Sequence, residues 1–233
     1  MKRIFLCMLA CSAISAPVAQ AADVTGATLG LDYSAFTDDT GGTANKTALS
    51  GSVELGFDRN FSLQGDMSIG HFGLTDVDTF GAAVHGIYHA SEFASVGAFI
   101  GRDSIEGDGD TFYGAEAGFE QGQFSGNVYV SHMNDPLADG TLMGIGGAYK
   151  ATDAFTLGAS YDNIDVDSYD LSRAQLEAEY RMDNFAVTAQ LGSADAEGFG
   201  SETYFGVGAK VTFGAKRGTT FEQRGLLAIW PGL

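Results

Sequence analysis

A motif of two aromatic residues around a short polar stretch recurs along the chain at a nearly constant interval. Its first copy is Phe57-Asp-Arg-Asn-Phe61, and the second begins at Tyr88 and ends at Phe93. The first aromatics of successive copies are 31, 31, 30 and 31 residues apart, and a further 33 residues lead to Phe213. Each pair encloses three to five polar or small residues, which is the length of a β-hairpin turn. The chain is therefore expected to be a succession of hairpins.

Between these turns, apolar and polar residues alternate, as in strands that have one apolar face. Leu49, Val53 and Leu55, for example, alternate with polar residues. The pattern predicts an all-β protein with strands at 25–36, 47–57, 61–71, 79–89, 93–102, 111–120, 124–133, 141–150, 155–163, 170–180, 185–193 and 202–213. The links at the other end of the hairpins are longer, acidic and rich in glycine: 37–46, 72–78, 103–110, 134–140, 164–169 and 194–201.

Strand length and the placement of the aromatic residues distinguish a membrane-spanning barrel from a soluble sandwich. Most predicted strands have about 10–12 residues, whereas strands usually have 5–6. A tilted strand of about 9–11 residues spans the hydrocarbon of a bilayer. Aromatic residues at one height on the apolar face suit a lipid interface, and closure removes sheet edges that lipid cannot satisfy. We therefore predict a transmembrane antiparallel up-and-down β-barrel with about twelve strands. Its predicted girdle beside the periplasmic turns is Phe57, Phe61, Tyr88, Phe93, Phe119, Phe124, Tyr149, Phe155, Tyr180, Phe185 and Phe213.

The first 21 residues have the pattern of a signal peptide. Lys2 and Arg3 precede an apolar run, and Ala19-Gln-Ala21 is a small-x-small cleavage site. A lipoprotein site at Cys11 is the alternative. Both cysteines lie in this segment, so the predicted mature chain has no disulfide and no thiolate site. The segment holds two of the 12 Lys and Arg and none of the 30 Asp and Glu, which leaves 10 against 30, a net charge of −20. Nucleic acid is therefore excluded as an expected partner, because no basic patch is available for phosphates.

Together these features resemble the outer-membrane β-barrels of the Gram-negative porin type. The resemblance covers nearly all of the predicted mature chain. Gly208-Ala-Lys-Val211-Thr-Phe213 is similar to the terminal assembly signal of such barrels. The resemblance implies a location in the outer membrane, contact with its lipids and lipopolysaccharide, insertion by the barrel-assembly machinery, and passive passage of small solutes. It implies neither a cofactor nor a metal.

About twenty residues follow Phe213, whereas the signal ends the chain in most relatives of this type. We expect three parts: a signal peptide at 1–21, a barrel at 22–213 and a periplasmic C-terminal tail at 214–233. The tail combines Arg224 with Leu226, Leu227 and Trp230. A disordered end, a plug in the lumen and a partner-binding peptide are the alternatives for it, and the sequence does not choose between them.

The inward face predicts a polar pore. Its small residues, such as Gly144, Gly158 and Gly206, would not fill a twelve-stranded lumen. The pore-lining candidates are Glu54, Asp66, Glu116, Asp162, Arg173, Glu177 and Lys210. Acidic groups outnumber basic ones among them, and carboxylates that line a pore favour cations. We therefore expect a weakly cation-selective diffusion channel. The alternative is that Arg173 and Lys210 form interior salt bridges that close the lumen.

Two other classes remain as alternatives: an adhesion or structural barrel with a closed lumen, and a lipid-modifying enzyme. The enzyme is disfavoured because Ser131 and His132 are adjacent and so point to opposite faces of a strand. Glu106-Gly-Asp108-Gly-Asp110 places oxygens at alternate positions, but it lacks the remainder of a calcium loop. The oligomeric state is not predicted.

Overall fold

The computed structural model describes residues 22–37, 44–134, 140–166, 169–197, 200–214 and 219–231. They form a closed barrel in which every strand pairs antiparallel with its neighbours in the sequence, and the last strand pairs with the first. The predicted all-β, twelve-stranded antiparallel up-and-down barrel is confirmed. The predicted signal peptide at 1–21 lies outside the described residues.

The twelve strands have 11 to 15 residues each. They are β1 (Asp23–Phe36), β2 (Asn45–Gly56), β3 (Phe61–Phe72), β4 (Val77–His89), β5 (Ala94–Ile105), β6 (Asp108–Gln121), β7 (Phe124–Asn134), β8 (Gly140–Lys150), β9 (Phe155–Val166), β10 (Tyr169–Met182), β11 (Phe185–Ala196) and β12 (Gly200–Gly214). One short helix, α1 (Leu226–Ile229), follows them. Among the described residues, no helix has the length and apolar character needed to cross a membrane.

A polar side chain near the start of each of three aromatic-flanked turns fixes its geometry. Asp58 Oδ1 accepts hydrogen bonds from the main-chain N–H groups of Asn60 (2.7 Å) and Phe61 (2.9 Å). Ser91 and Thr152 cap the N–H groups two and three residues later in the same way. Such local capping favours a tight turn over continued strand. We call the end of the barrel that carries these turns the aromatic-turn end.

The predicted long link at 103–110 is wrong, because β5 and β6 extend through most of it. They meet in a two-residue turn, in which Glu106 has φ 52° and Gly107 has φ 99°. Positive φ at both central residues suits the twist of a hairpin. The acidic 106–110 motif is therefore a strand connection and the start of β6. The predicted link at 164–169 likewise shrinks, since β9 continues to Val166 and β10 begins at Tyr169.

The predicted girdle residues lie on the outer face near the aromatic-turn end. Phe185 is half-buried, and the other ten are exposed. Rings on adjacent strands pair, with centroids 5.0 Å apart for Phe61 and Tyr88 and 5.2 Å apart for Phe124 and Tyr149. An apolar outer face of this kind matches a hydrocarbon environment. The contact of these rings with lipid stays a prediction.

Large inward side chains fill the barrel toward the opposite end, where the sequence led us to expect mainly small residues. A buried cluster contains Phe99, Phe112, Tyr129, Leu142 and Ile164. Several rings lie over a glycine of the adjacent strand, where a Cβ atom would collide with the ring: Tyr129 over Gly144, Phe112 over Gly101, Phe99 over Gly114 and Tyr204 over Gly192. Small and large residues thus combine to fill this part of the lumen.

Candidate functional site

Residues 219–231, beyond β12, run through the lumen of the barrel. β12 ends at the aromatic-turn end, and Thr220 lies beside Glu54 at that same end. Further along, Arg224 meets Glu116 at mid-barrel, and Pro231 accepts a hydrogen bond from Ser34 near the opposite end. We call residues 219–231 the lumen segment. The expected periplasmic placement of the tail is wrong for these residues, because polar and apolar groups of the wall hold them inside.

Hydrogen bonds from the wall hold the main chain where the lumen segment enters. The N–H of Thr220 donates to Glu54 Oε2 (2.7 Å). The side-chain amide of Gln64 makes two contacts with Phe221, since its oxygen accepts from the N–H (3.1 Å) and its nitrogen donates to the carbonyl (2.8 Å). Glu54 and Gln64 are partners in the β2–β3 register. The two side chains therefore act together as a clamp on the peptide.

The ring of Phe221 sits in a notch formed by two glycines of the wall. A Cβ atom at Gly97 would lie 3.0 Å from the ring, and one at Gly118 would lie 3.2 Å from it. Both distances are tighter than ordinary van der Waals contact. Phe221 is 4% exposed. The absence of side chains at these two wall positions thus creates the space in which the segment is anchored.

A buried charged cluster binds the middle of the lumen segment. Arg224 Nε donates to Glu116 Oε2 (2.8 Å), and its guanidinium lies over the Tyr129 ring, 4.2 Å from the centroid. His85 lies between two carboxylates, with Nδ1 2.6 Å from Glu116 Oε1 and Nε2 2.8 Å from Asp66 Oδ2. Arg224 is 4% exposed and brings its positive charge to the buried carboxylate of Glu116, while His85 links that carboxylate to the buried Asp66. Buried charges of this kind need partners, because desolvation is costly.

A glycine and an aspartate set the start of α1. Gly225 has φ 113°, a conformation that favours glycine, and a Cβ atom there would collide with the carboxylate of Asp103. That carboxylate accepts a hydrogen bond from the Leu227 N–H (3.0 Å). A negative group at the first turn is favourable for the helix dipole.

Two cationic side chains of the wall bind the main-chain carbonyls at the far end of α1. Lys46 Nζ donates to the carbonyls of Leu227 and of Trp230, the latter at 3.0 Å. Arg173 Nη1 donates to the carbonyl of Ile229 (2.6 Å). Positive groups satisfy the open carbonyls of a helix C-terminus. The wall therefore presents charges of opposite sign to the two ends of this short helix.

Apolar contacts hold the last described residues of the segment. Ile229 belongs to the buried inner cluster, and Trp230 packs against it. Trp230 also packs against a second group that contains Phe36 and Tyr204. The segment is thus held by hydrogen bonds where it enters, by ion pairs in the middle and by apolar packing where it ends.

All seven predicted pore-lining residues face the inside of the barrel, and most are engaged in contacts. Glu54, Asp66 and Glu116 are buried, and Glu54 and Glu116 accept hydrogen bonds from the lumen segment. Asp162 forms an ion pair with Arg173 (2.7 Å) and accepts a hydrogen bond from the Tyr129 hydroxyl (2.6 Å). Lys210 forms an ion pair with Glu179 (3.1 Å). Glu177 accepts a hydrogen bond from the side-chain amide of Gln190 (3.1 Å). Arg173 and Lys210 therefore form the interior salt bridges considered as the alternative. Their role in conduction stays a prediction.

Three important wall residues were not among the predicted pore-lining residues. Lys46 and Asp103 fell in predicted links, although both lie in strands and contact the lumen segment. His85 lies in β4, and no sequence signal assigned it a role. Its position opposite Phe99, with one carboxylate partner on β3 and the other on β6, becomes visible only with the register.

Polar space remains in the lumen beside the segment. One cavity of about 400 Å³ extends toward the opposite end and is bordered by Asp32, Lys46, Glu177 and Trp230, among others. A second of about 1000 Å³ opens toward the aromatic-turn end and is bordered by Glu54, Arg59, Ser91 and Lys210, among others. Both are bordered by Ser50, Ser125, Gly126, Asn127, Glu222, Gln223 and Arg224. They therefore meet beside the middle of the lumen segment.

The residues considered for catalysis do not assemble into a nucleophilic pair. Ser131 is 1% exposed, and its hydroxyl donates to the Tyr113 carbonyl (3.4 Å). His132 stacks edge-on against the Tyr113 ring, with centroids 5.5 Å apart. His71 lies near the end of β3, at the end of the barrel opposite the aromatic-turn end, and its Nδ1 is 2.9 Å from Asp78 Oδ1. These histidines take part in local structural contacts.

Comparison with known proteins places the barrel among outer-membrane channels. The family model "Gram-negative porin" matches residues 94–221, more than half of the chain. The KdgM porin has 13% identity and a TM-score of 0.62, covering 79% of this chain and 99% of that chain. The NanC porin has 9% identity and a TM-score of 0.66, covering 78% and 98%. An outer membrane channel from Pseudomonas putida F1 has 12% identity and a TM-score of 0.56, covering 84% and 99%. These likenesses show the fold. No curated protein matches the chain.

Proposed function

The chain belongs to the Gram-negative porin family, and we propose that it is an outer-membrane channel for passive diffusion of small hydrophilic solutes, with a weak preference for cations. The observation that carries this proposal is the pair of polar cavities that meet beside the lumen segment. Together they extend from the aromatic turns to the side of Trp230 and Pro231 near the opposite end. Solutes pass beside the segment, through the part of the lumen that it leaves open.

The charges along this passage support a preference for cations. The acidic side chains that border the two cavities are Asp32, Glu54, Asp58, Glu92, Glu120, Asp162, Glu177 and Glu222; the basic ones are Lys46, Arg59, Arg173, Lys210 and Arg224. Four of the five basic groups form ion pairs with carboxylates, and Lys46 binds main-chain carbonyls. The acidic excess is modest, so the preference is weak.

Ion flow across a planar bilayer tests this function directly. The protein is refolded without residues 1–21 and added to one side of a bilayer under a potassium chloride gradient. We expect discrete conductance steps and a reversal potential displaced toward that of potassium. A barrel that is folded, as judged by heat-modifiable migration on a gel, but gives no steps would contradict the channel function.

The occupied lumen favours one other function, a structural barrel with a closed lumen. Its supporting observation is the buried contact between Arg224 and Glu116, which fixes the segment across the interior. Uptake by protein-containing liposomes separates the two functions. A channel admits a small neutral sugar and excludes a large dextran, whereas a closed barrel excludes both.

A further inference from the structure

The lumen segment presents one acidic side chain to the open part of the lumen. Within residues 219–231, Glu222 alone is exposed, while its neighbours are buried or half-buried. It borders both cavities, so it stands where they meet. A solute that crosses from one cavity to the other must pass this carboxylate.

The contacts of the two neighbouring residues fix the direction of this side chain. Phe221 is held by Gln64 through main-chain hydrogen bonds and by the glycine notch around its ring. Gln223 Nε2 donates to Ser68 Oγ (2.8 Å) on the same wall. Glu222 stands between these two anchored residues, is exposed and borders both cavities, so its side chain faces the open lumen rather than the wall that binds its neighbours.

The opposite wall carries charged groups that Glu222 can influence. Glu177 of β10 borders the first cavity together with Glu222, and Lys210 of β12 borders the second cavity together with Glu222. On this wall, Lys210 pairs with Glu179 at 3.1 Å and Arg181 pairs with the same carboxylate at 2.6 Å. The two cations therefore balance Glu177 and Glu179. The passage at this level therefore runs between an acidic residue of the segment and a wall whose charges balance, so Glu222 supplies the net negative charge there.

We propose that Glu222 is a selectivity-determining residue of the channel, so that the lumen segment acts as part of the ion pathway as well as an obstruction. The inference rests on the proposed channel function. A carboxylate at a constriction attracts cations and repels anions. A unit charge about 6 Å from the ion path, in water at about 0.1 M salt, changes the cation-to-anion permeability ratio roughly threefold.

Three variants in the bilayer assay under a salt gradient test this role. Glu222→Gln is expected to lower the permeability ratio roughly threefold, and Glu222→Lys is expected to lower it further toward anion preference. The matched control is Asp183→Asn, which removes the same charge from an exposed turn residue that borders neither cavity. Its left-handed backbone, with φ 54°, tolerates asparagine. The control is expected to keep the wild-type ratio.

A thiol at the same position gives a second measurement. The sequence has its two cysteines at 7 and 11, so Glu222→Cys is the single thiol in protein refolded without residues 1–21. A cationic methanethiosulfonate should shift the reversal potential toward anion preference, and an anionic one should shift it toward cation preference.

The outcomes separate this inference from the channel function. The role of Glu222 would be overturned if the Glu222 variants gave conductance steps with the wild-type reversal potential, or if the thiol at position 222 reacted without shifting that potential. The channel function would stand in both cases. A wild-type protein that gives no steps would overturn the channel function and this inference with it.

Discussion

Replacement of Arg224 should strongly weaken the docking of the lumen segment. Arg224→Met keeps much of the apolar stem but removes the charge that faces Glu116 at 2.8 Å. Breaking a buried ion pair from one side costs about 3–5 kcal/mol, because the remaining charge stays buried. His85 still contacts Glu116 at 2.6 Å, so we take the lower value, about 3 kcal/mol. The docking equilibrium should then fall about 100-fold.

Fluorescence of the single tryptophan reports this equilibrium. Trp230 is half-buried against the inner apolar cluster, so release of the segment exposes it to water. Emission wavelength and acrylamide quenching are measured during a urea titration in detergent micelles, while heat-modifiable gel migration follows the barrel. Arg224→Met should release Trp230 at a lower urea concentration, with the barrel still folded.

A double-mutant cycle separates the ion pair from general damage. Arg224→Met is combined with Glu116→Gln, which removes the uncompensated carboxylate charge. The double variant should recover part of the docking that Arg224→Met loses, because the two side chains are directly coupled. If Trp230 is released at the same urea concentration in Arg224→Met as in the wild type, the assignment of this pair as an anchor of the segment is refuted.

Two further substitutions test other anchors of the segment with the same fluorescence assay. Gly97→Val fills the notch that holds Phe221 and should weaken docking by about 1–3 kcal/mol through overpacking. Gly65→Val is the control and should leave docking unchanged, because a Cβ atom at Gly65 would have no neighbouring atom within 4 Å. Release of Trp230 at the same urea concentration in both glycine variants would contradict the role of the notch as an anchor of Phe221. Lys46→Met removes two hydrogen bonds from a charged donor, one of them to the Trp230 carbonyl, and should weaken docking by about 3 kcal/mol; unchanged quenching of Trp230 would contradict that contact.

The barrel was predictable because the sequence pattern that specifies its strands and turns is local and repeated. Alternation along each strand identifies the two faces, and the residues around Asp58 fix a turn within five positions. The ends of several strands were placed too early, since Asp and Gly residues are rare in strands and indicate loops. In β5 and β6 the cross-strand ladder continues through Asp103 and Asp110 despite these residue types.

The contents of the lumen were less predictable, because alternation says which residues point inward but not what they meet. The contact of Lys46 with Leu227 spans 181 residues, and that of Asp103 with Leu227 spans 124. No periodic pattern encodes such distant pairs. Small inward residues were interpreted as empty space, although one glycine, Gly97, makes room for Phe221. The mixture of Arg224 with apolar residues in the tail was the only hint of a buried segment.

The central claim is that solutes pass through this barrel beside its own lumen segment. Single-channel conductance of the full protein, compared with a protein that ends at Gly214, the last residue of β12, tests it most directly. We expect discrete steps from both, with larger steps from the shortened protein, since the lumen is then unobstructed. A silent full-length protein, or steps of equal size from both, would contradict the claim.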